Sequence, residues 1–158
     1  MDGKLLEPKR FSGFEFGHMI LNKDGRLCAC GKKGCFEAYA SIKALRMQVT
    51  KDLDIDSDVT GQYLRENILV KEDPVIKEDI EMFLEYLKTG ICNLIDIFEP
   101  EAVCLGGSFA YYEGNPIFDK LIEKIKEPYS TFNHSNKPKI ILAKYKNNAG
   151  IIGATIEE

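Results

Sequence analysis

Between Asn22 and Gly34 the chain is built from turn residues, Asn22-Lys23-Asp24-Gly25 and then Cys30-Gly31 and Gly34, with no apolar period to order it. Three of the five cysteines fall inside this stretch and its edge, in Cys28-Ala29-Cys30-Gly31-Lys32-Lys33-Gly34-Cys35. A segment of this kind needs an ordering element other than backbone pairing, and a metal ion is one. Three thiolates and the neutral imidazole of His18, ten residues before Cys28, would make a closed tetrahedral set. Zinc is its natural guest, with Zn–S about 2.3 Å and Zn–N about 2.0–2.1 Å. The alternative is three reduced cysteines with no metal.

An imidazole that gives one nitrogen to a metal keeps the other as a hydrogen-bond donor, with its tautomer fixed. Glu15 lies three residues before His18 and Glu37 two residues after Cys35, so closing the loop draws both acids toward the imidazole. Carboxylates beside an oriented N–H suit a polyhydroxylated ligand, whose hydroxyls each need a donor and an acceptor once buried. Taken singly, Glu37 also fits a helix N-terminal acid favoured by the macrodipole, and Glu15 an exposed loop charge.

Around the loop, Met19-Ile20-Leu21 reads as a brief strand, and Phe36 to Val49 as a helix with Phe36, Tyr39, Ala40, Ala44, Leu45 and Met47 mostly on one side. Residues 50–61 are acidic and polar, a loop leading into a short helix near Gln62–Asn67. Asp73-Pro74 then starts the strongest helix, whose stripe Ile76, Ile80, Phe83, Leu87, Ile91, Leu94 and Phe98 ends near Pro100 and serves core packing or a subunit interface. Ala102-Val103-Cys104-Leu105 has the form of a buried strand feeding the Gly106-Gly107-Ser108 turn. A helix over Ile117–Lys126, a strand over Ile140–Ala143 and a last helix over Ala149–Ile156 complete an α/β arrangement, a sheet layered with helices.

The chain has 158 residues, 44% of them apolar, enough for one ordinary core. Its net charge of −4 offers no basic field for a phosphate backbone, so no nucleic-acid partner is expected. The opening MDGKLLEPKRF has no apolar region behind its charges and no stretch approaches a membrane span. A cytoplasmic protein with no membrane partner is expected. Clustered, odd-numbered cysteines fit a metal site in a reducing compartment better than disulfides, and Cys92 and Cys104, on apolar runs, are expected to be buried thiols. Asp24, Asp54, Asp56, Asp58, Lys32, Lys33 and His134 read as solvated surface.

The order Glu15-Phe16-Gly17-His18-Met19, then Cys28-Ala29-Cys30-Gly31-Lys32-Lys33-Gly34-Cys35-Phe36-Glu37 and Ala38-Tyr39-Ala40-Ser41, closely resembles the signature of the ROK family of repressors and sugar kinases. The Glu-Ala-Tyr-Ala-Ser continuation looks most like the bacterial glucokinase branch. By that resemblance His18, Cys28, Cys30 and Cys35 hold zinc, and Glu15, His18 and Glu37 contact the sugar. Val103-Cys104-Leu105-Gly106-Gly107-Ser108 looks like the family's second nucleotide-side motif, which assigns Gly106, Gly107 and Ser108 to adenosine, and Ala149–Ala154 looks like its closing helix. A strand ending in Gly-Gly is by itself more often a plain tight turn, although it does let a ligand approach the backbone.

The resemblance implies an α/β fold of the actin-like, ribonuclease H-like ATPase class with an inserted zinc loop. It also implies ATP with Mg²⁺ as co-substrate and a homo-oligomer. The family's first phosphate loop, its catalytic Asp and its second phosphate loop find no counterpart, and Met1–Leu5 resembles the stretch after the second loop. The expectation is therefore one domain over 1–158, the C-terminal lobe of a kinase about twice as long, with the sugar loop at 15–41, the nucleotide motif at 103–108 and no catalytic residue of its own. Such a lobe alone would be inactive. The whole protein would phosphorylate a hexose, glucose first, at its 6-hydroxyl. The alternative is the sugar-sensing domain of a ROK-type transcriptional repressor; an independent zinc-finger domain is disfavoured by the acidic balance and the α/β body.

Overall fold

A computed structural model describes residues 6, 8, 9, 14–126 and 138–155. Met1–Leu5, the His134 loop and the expected end of the last helix at Ile156 lie outside the described residues. Helices α1 (Glu37–Ala40) and α2 (Ile42–Asp52) follow the cysteine loop, then α3 (Gly61–Tyr63) running into a wider turn over Leu64–Ile68, and α4 (Pro74–Phe98). Strand β1 (Ala102–Leu105) leads through a 3-10 turn over Gly107–Tyr112 to α5 (Pro116–Lys126), strand β2 (Lys139–Leu142) and the short α6 (Ala149–Gly153).

Helix α4 is the axis on which the rest is packed. Asp73 caps it, its carboxylate accepting from the N–H groups of Val75 at 2.8 Å and Ile76 at 3.4 Å, while Pro74 occupies the first turn, where no donor is lost. Glu99 in a left-handed conformation, φ 43°, stops it just before Pro100. Ile76, Ile80, Phe83, Leu84, Leu87, Ile91 and Ile95 are buried along one side, each worth roughly 1.5–3 kcal/mol of transfer free energy. The expected stripe is therefore core over Ile76, Ile80, Phe83, Leu87 and Ile91, whereas Leu94 and Phe98 are only half-buried and Leu84 and Ile95 join it instead. It receives Leu45 and Val49 of α2, and Ile117, Leu121 and Ile125 of α5. Lys124 of α5 ion-pairs with both Glu81 and Glu85 of α4.

The single helix expected over Phe36–Val49 is two. Ser41 is extended, φ −89° and ψ 153°, and its hydroxyl accepts from Ala44 N–H at 3.0 Å, so it caps α2 and lets the chain turn. Met47 consequently lies outside the packed face, 55% exposed. Strands β1 and β2 pair in parallel, Ala102 opposite Lys139 and Leu105 opposite Leu142, joined through α5. They are not fully buried. Val103, Leu105, Ile140 and Leu142 pack on the core, whereas Ala102, Cys104 and Ile141 face outward, because the described helices cover only one side of this pair. Cys104 is thus exposed, contrary to expectation, while Cys92 is buried.

Asp79 is the one acid among the buried residues described, 3% exposed on α4, with Oδ2 unpartnered. Burial, then the charge and hydrogen bond of Asp52 at the end of α2, push its carboxyl up to about 6, while Gln48 acts the other way. The folded chain holds this proton more tightly than the unfolded one. The resulting stabilisation is complete below about pH 4 and is lost as pH rises through about 6. Asp79→Asn is expected to flatten that slope and raise stability near pH 7.5 by roughly 1–2 kcal/mol, read from urea melts at several pH values.

Candidate functional site

The cysteine loop has little regular structure. No strand forms over Met19–Leu21; instead Ile20 and Cys35 form an isolated antiparallel bridge, as do Leu27 and Lys33. Those two bridges bring the ends of the turn-rich segment together, and Gly31 and Gly34, at φ 86° and 80°, let it reverse. Phe36, directly after Cys35, lies against Gly90 of α4, where a Cβ would overlap its ring. The helix cost of about 1 kcal/mol for glycine at that position is offset by this close seat for the loop.

The ligand atoms of His18, Cys28, Cys30 and Cys35 all lie within 4.8 Å of one another. Cys30 Sγ is 3.6 Å from Cys35 Sγ, and Cys28 Sγ is 3.7 Å from His18 Nδ1. Sulfurs around a tetrahedral zinc with bonds of ~2.3 Å sit ~3.8 Å apart, so the donor set fits that ion in number, type and spacing. Burial pushes the Cys35 thiol up to about 11, with the Cys30 and Cys28 sulfurs adding to the rise. The Lys32 backbone N–H, first among several causes, holds Cys30 below the usual thiol value. Three sulfurs this close resist sharing negative charge, and a divalent cation is what would remove the penalty.

His18 closes a 3-10 turn over Phe16–His18, its N–H donating to the Glu15 carbonyl at 3.0 Å. Phe16 seats that turn on Phe98 at the end of α4, ring centroids 5.3 Å apart. Glu37 opens α1, and its Oε2 is 3.6 Å from His18 Nδ1. Its stem runs beside Gly17, where an added Cβ would be 3.4 Å from Glu37 Cβ. Glu15 is exposed, and no described contact joins its carboxylate to His18 or Glu37. Lys32, expected as plain surface, is exposed but donates through Nζ to the His18 carbonyl at 2.8 Å and so ties the loop tip to the histidine.

A groove of about 420 Å³ separates the loop from α2, reaching Glu37 but lined also by Leu27, Ala29, Ala38 and Met47. Glu15 and His18 are not part of it. In the turn after β1, Gly106 is extended and Gly107 has φ 60°, with an added Gly107 Cβ meeting Asn147 Oδ1 at 3.8 Å. Ser108 borders a cavity of about 330 Å³ shared with Gln62, Arg65, Tyr111 and Asn147. The Arg65 guanidinium and the Lys146 ammonium lie 5.7 Å and 5.0 Å from the Tyr111 ring centroid. Arg65, Tyr111 and Asn147 share this cavity, and no motif singles them out in the sequence.

The ROK family model matches residues 1–156. The crystal structure of a ROK hexokinase from Thermus thermophilus superposes with a TM-score of 0.79 at 28% identity, covering 96% of this chain and 49% of that one. A ROK family glucokinase from Streptomyces griseus, solved in complex with glucose and AMPPNP, gives 0.67 at 26% identity, covering 89% and 49%. A xylose repressor from Caldicellulosiruptor bescii is 30% identical over 165 residues, 97% of this chain and 40% of the repressor. The chain spans about half the length of the curated relatives it matches, 48% for the first two. None of the described helices is long and apolar enough to cross a membrane.

Proposed function

This chain belongs to the ROK family, and we propose that it is the C-terminal lobe of an actin-like ATP-dependent hexose kinase, glucose preferred, that supplies sugar and adenosine contacts around a structural zinc. The observation that carries this reading is the convergence of four metal-type donors with Glu37 at His18, 3.6 Å from its Nδ1. His18, Cys28, Cys30 and Cys35 would hold the ion, which when bound supplies a rigid loop and a fixed imidazole tautomer. His18 Nδ1 faces the Cys28 sulfur, so with Nδ1 ligated the proton sits on Nε2 and is free for a sugar hydroxyl. Glu37 then accepts from a hydroxyl instead of resting on Nδ1, and Glu15 adds a second carboxylate from the preceding turn. The Gly106-Gly107-Ser108 turn, with the cavity reaching Arg65, Tyr111 and Asn147, is the place for an adenosine.

Phosphoryl transfer also needs an in-line triphosphate with Mg²⁺ and an acceptor for the hydroxyl proton. This lobe orients the sugar and holds the nucleoside end; none of its carboxylates is assigned the proton. The full-length protein is expected to consume ATP with glucose faster than with N-acetylated amino sugars, followed by a coupled ADP assay. Absence of turnover with every hexose and amino sugar would remove the kinase reading. The 30% identity to a xylose repressor supports a second reading, a sugar-sensing domain in which the same loop binds sugar without transferring phosphate. Sugar-dependent release of operator DNA by the full-length protein, without ADP formation, would decide for it.

A further inference from the structure

Tyr39 sits two residues after Glu37 on α1, 5% exposed, and its hydroxyl faces away from the core into the cysteine loop. The Arg26 backbone N–H donates to that oxygen at 2.7 Å and the Asn22 side-chain amide at 3.2 Å. Those two residues bracket Gly34, the neighbour of Cys35. The Gly34 N–H donates to the Arg26 carbonyl at 2.8 Å, and the Gly34 carbonyl accepts from Asn22 N–H at 3.2 Å. One phenol oxygen therefore holds both flanks of the residue that places Cys35. The Arg26 guanidinium lies 4.6 Å from the Tyr39 ring centroid and donates to Gln48 of α2 at 2.6 Å. The ring also stacks on Tyr86 of α4, centroids 4.1 Å apart, and Asn22 donates to the Tyr86 hydroxyl as well, at 3.3 Å. Gly25 is required here as well, since a Cβ would overlap the Tyr39 hydroxyl.

We infer that Tyr39 is a positioning residue that couples closure of the metal loop to the sugar-facing carboxylate: its hydroxyl sets Cys35 through Asn22, Arg26 and Gly34, and its helix carries Glu37. The inference rests on the zinc and sugar reading above. It goes beyond that reading by making the aromatic pair, rather than the four ligands alone, responsible for the geometry of the loop. A phenylalanine keeps the ring stack and loses both hydrogen bonds, so it isolates the hydroxyl.

The test is zinc affinity of the full chain by competition with a chromophoric chelator, together with thermal melts of zinc-loaded and zinc-stripped protein. Tyr39→Phe is expected to bind zinc about tenfold more weakly, the scale of one or two neutral hydrogen bonds, with the stripped chain melting as the parent does. Tyr86→Phe, which leaves the Tyr39 oxygen in place, is expected to change affinity less than threefold (~ within the spread of one hydrogen bond). Asn22→Ala, which removes the bridging amide while keeping Tyr39, is expected to resemble Tyr39→Phe and serves if that variant does not fold. Unchanged zinc affinity in Tyr39→Phe, or an equal loss of stability with and without zinc, would overturn the inference while leaving the metal site standing. A parent chain that takes up no zinc would instead bring down the metal reading and this inference with it.

Discussion

Gly34→Ala is expected to lower stability by roughly 3 kcal/mol and to abolish zinc retention, because it combines a conformational penalty with a clash that cannot relax. Gly34 has φ 80°, where an L side chain costs about 1–2 kcal/mol. Its Cβ would also overlap the Asn22 carbonyl oxygen and lie 2.6 Å from the Asn22 carbonyl carbon, both backbone atoms that have no rotamer to escape into. Relieving the overlap means breaking the bonds from Leu21 and Asn22 N–H to the Gly34 carbonyl, at 2.8 Å and 3.2 Å, and those bonds hold the residue next to Cys35, one of the four proposed ligands. Gly31 is the internal control. It has φ 86° but nothing within 4 Å of an added Cβ, so Gly31→Ala should cost only the conformational term, about 1–2 kcal/mol, and keep its metal. Metal content by elemental analysis and denaturant melts of the two variants separate these expectations; a Gly34→Ala protein with parental zinc and midpoint would refute the account.

Stripping the metal with a strong chelator should lower the melting temperature by about 10 °C, the scale of a few kcal/mol in a chain of this size. Hydrogen exchange should then speed up from His18 to Ala40 while the buried face of α4 stays protected. The loop has two isolated bridges and a handful of turn bonds of its own, whereas α4 is held by a continuous apolar stripe. Coordination must displace protons from the sulfurs, and burial pushes the Cys35 thiol up to about 11. Zinc affinity should therefore fall as pH is lowered. Protein purified without chelator and found free of zinc would end the metal claim.

The long helix was legible because its signals are local. Asp73-Pro74 caps it within one turn, and the stripe repeats at three and four residues regardless of what it packs against. The break at Ser41 was less legible, since apolar spacing continues across it; serine's preference for capping decided the matter. The two strands were found from their apolar runs, but the runs suggested cover on both faces, and Cys104 and Ile141 show that composition does not say which face has a neighbour. In the site, metal-type residues announce themselves by spacing. The supporting residues do not, because an asparagine in a turn and two tyrosines on helices are ordinary in each local context.

From the sequence alone, the chemistry of the loop was determined: which four donors are available, that turn residues leave them without regular structure, and which acids lie near them along the chain. Tertiary structure alone decided how that loop is held. Phe36 seats on Gly90, Arg26 reaches Gln48, and Asn22, bonded to Tyr39, also reaches Tyr86, 64 positions further along the chain. The physical reason is that donor identity is a property of each residue, whereas alignment to a fraction of an ångström depends on packing between segments distant in sequence, where no local pattern records the partner.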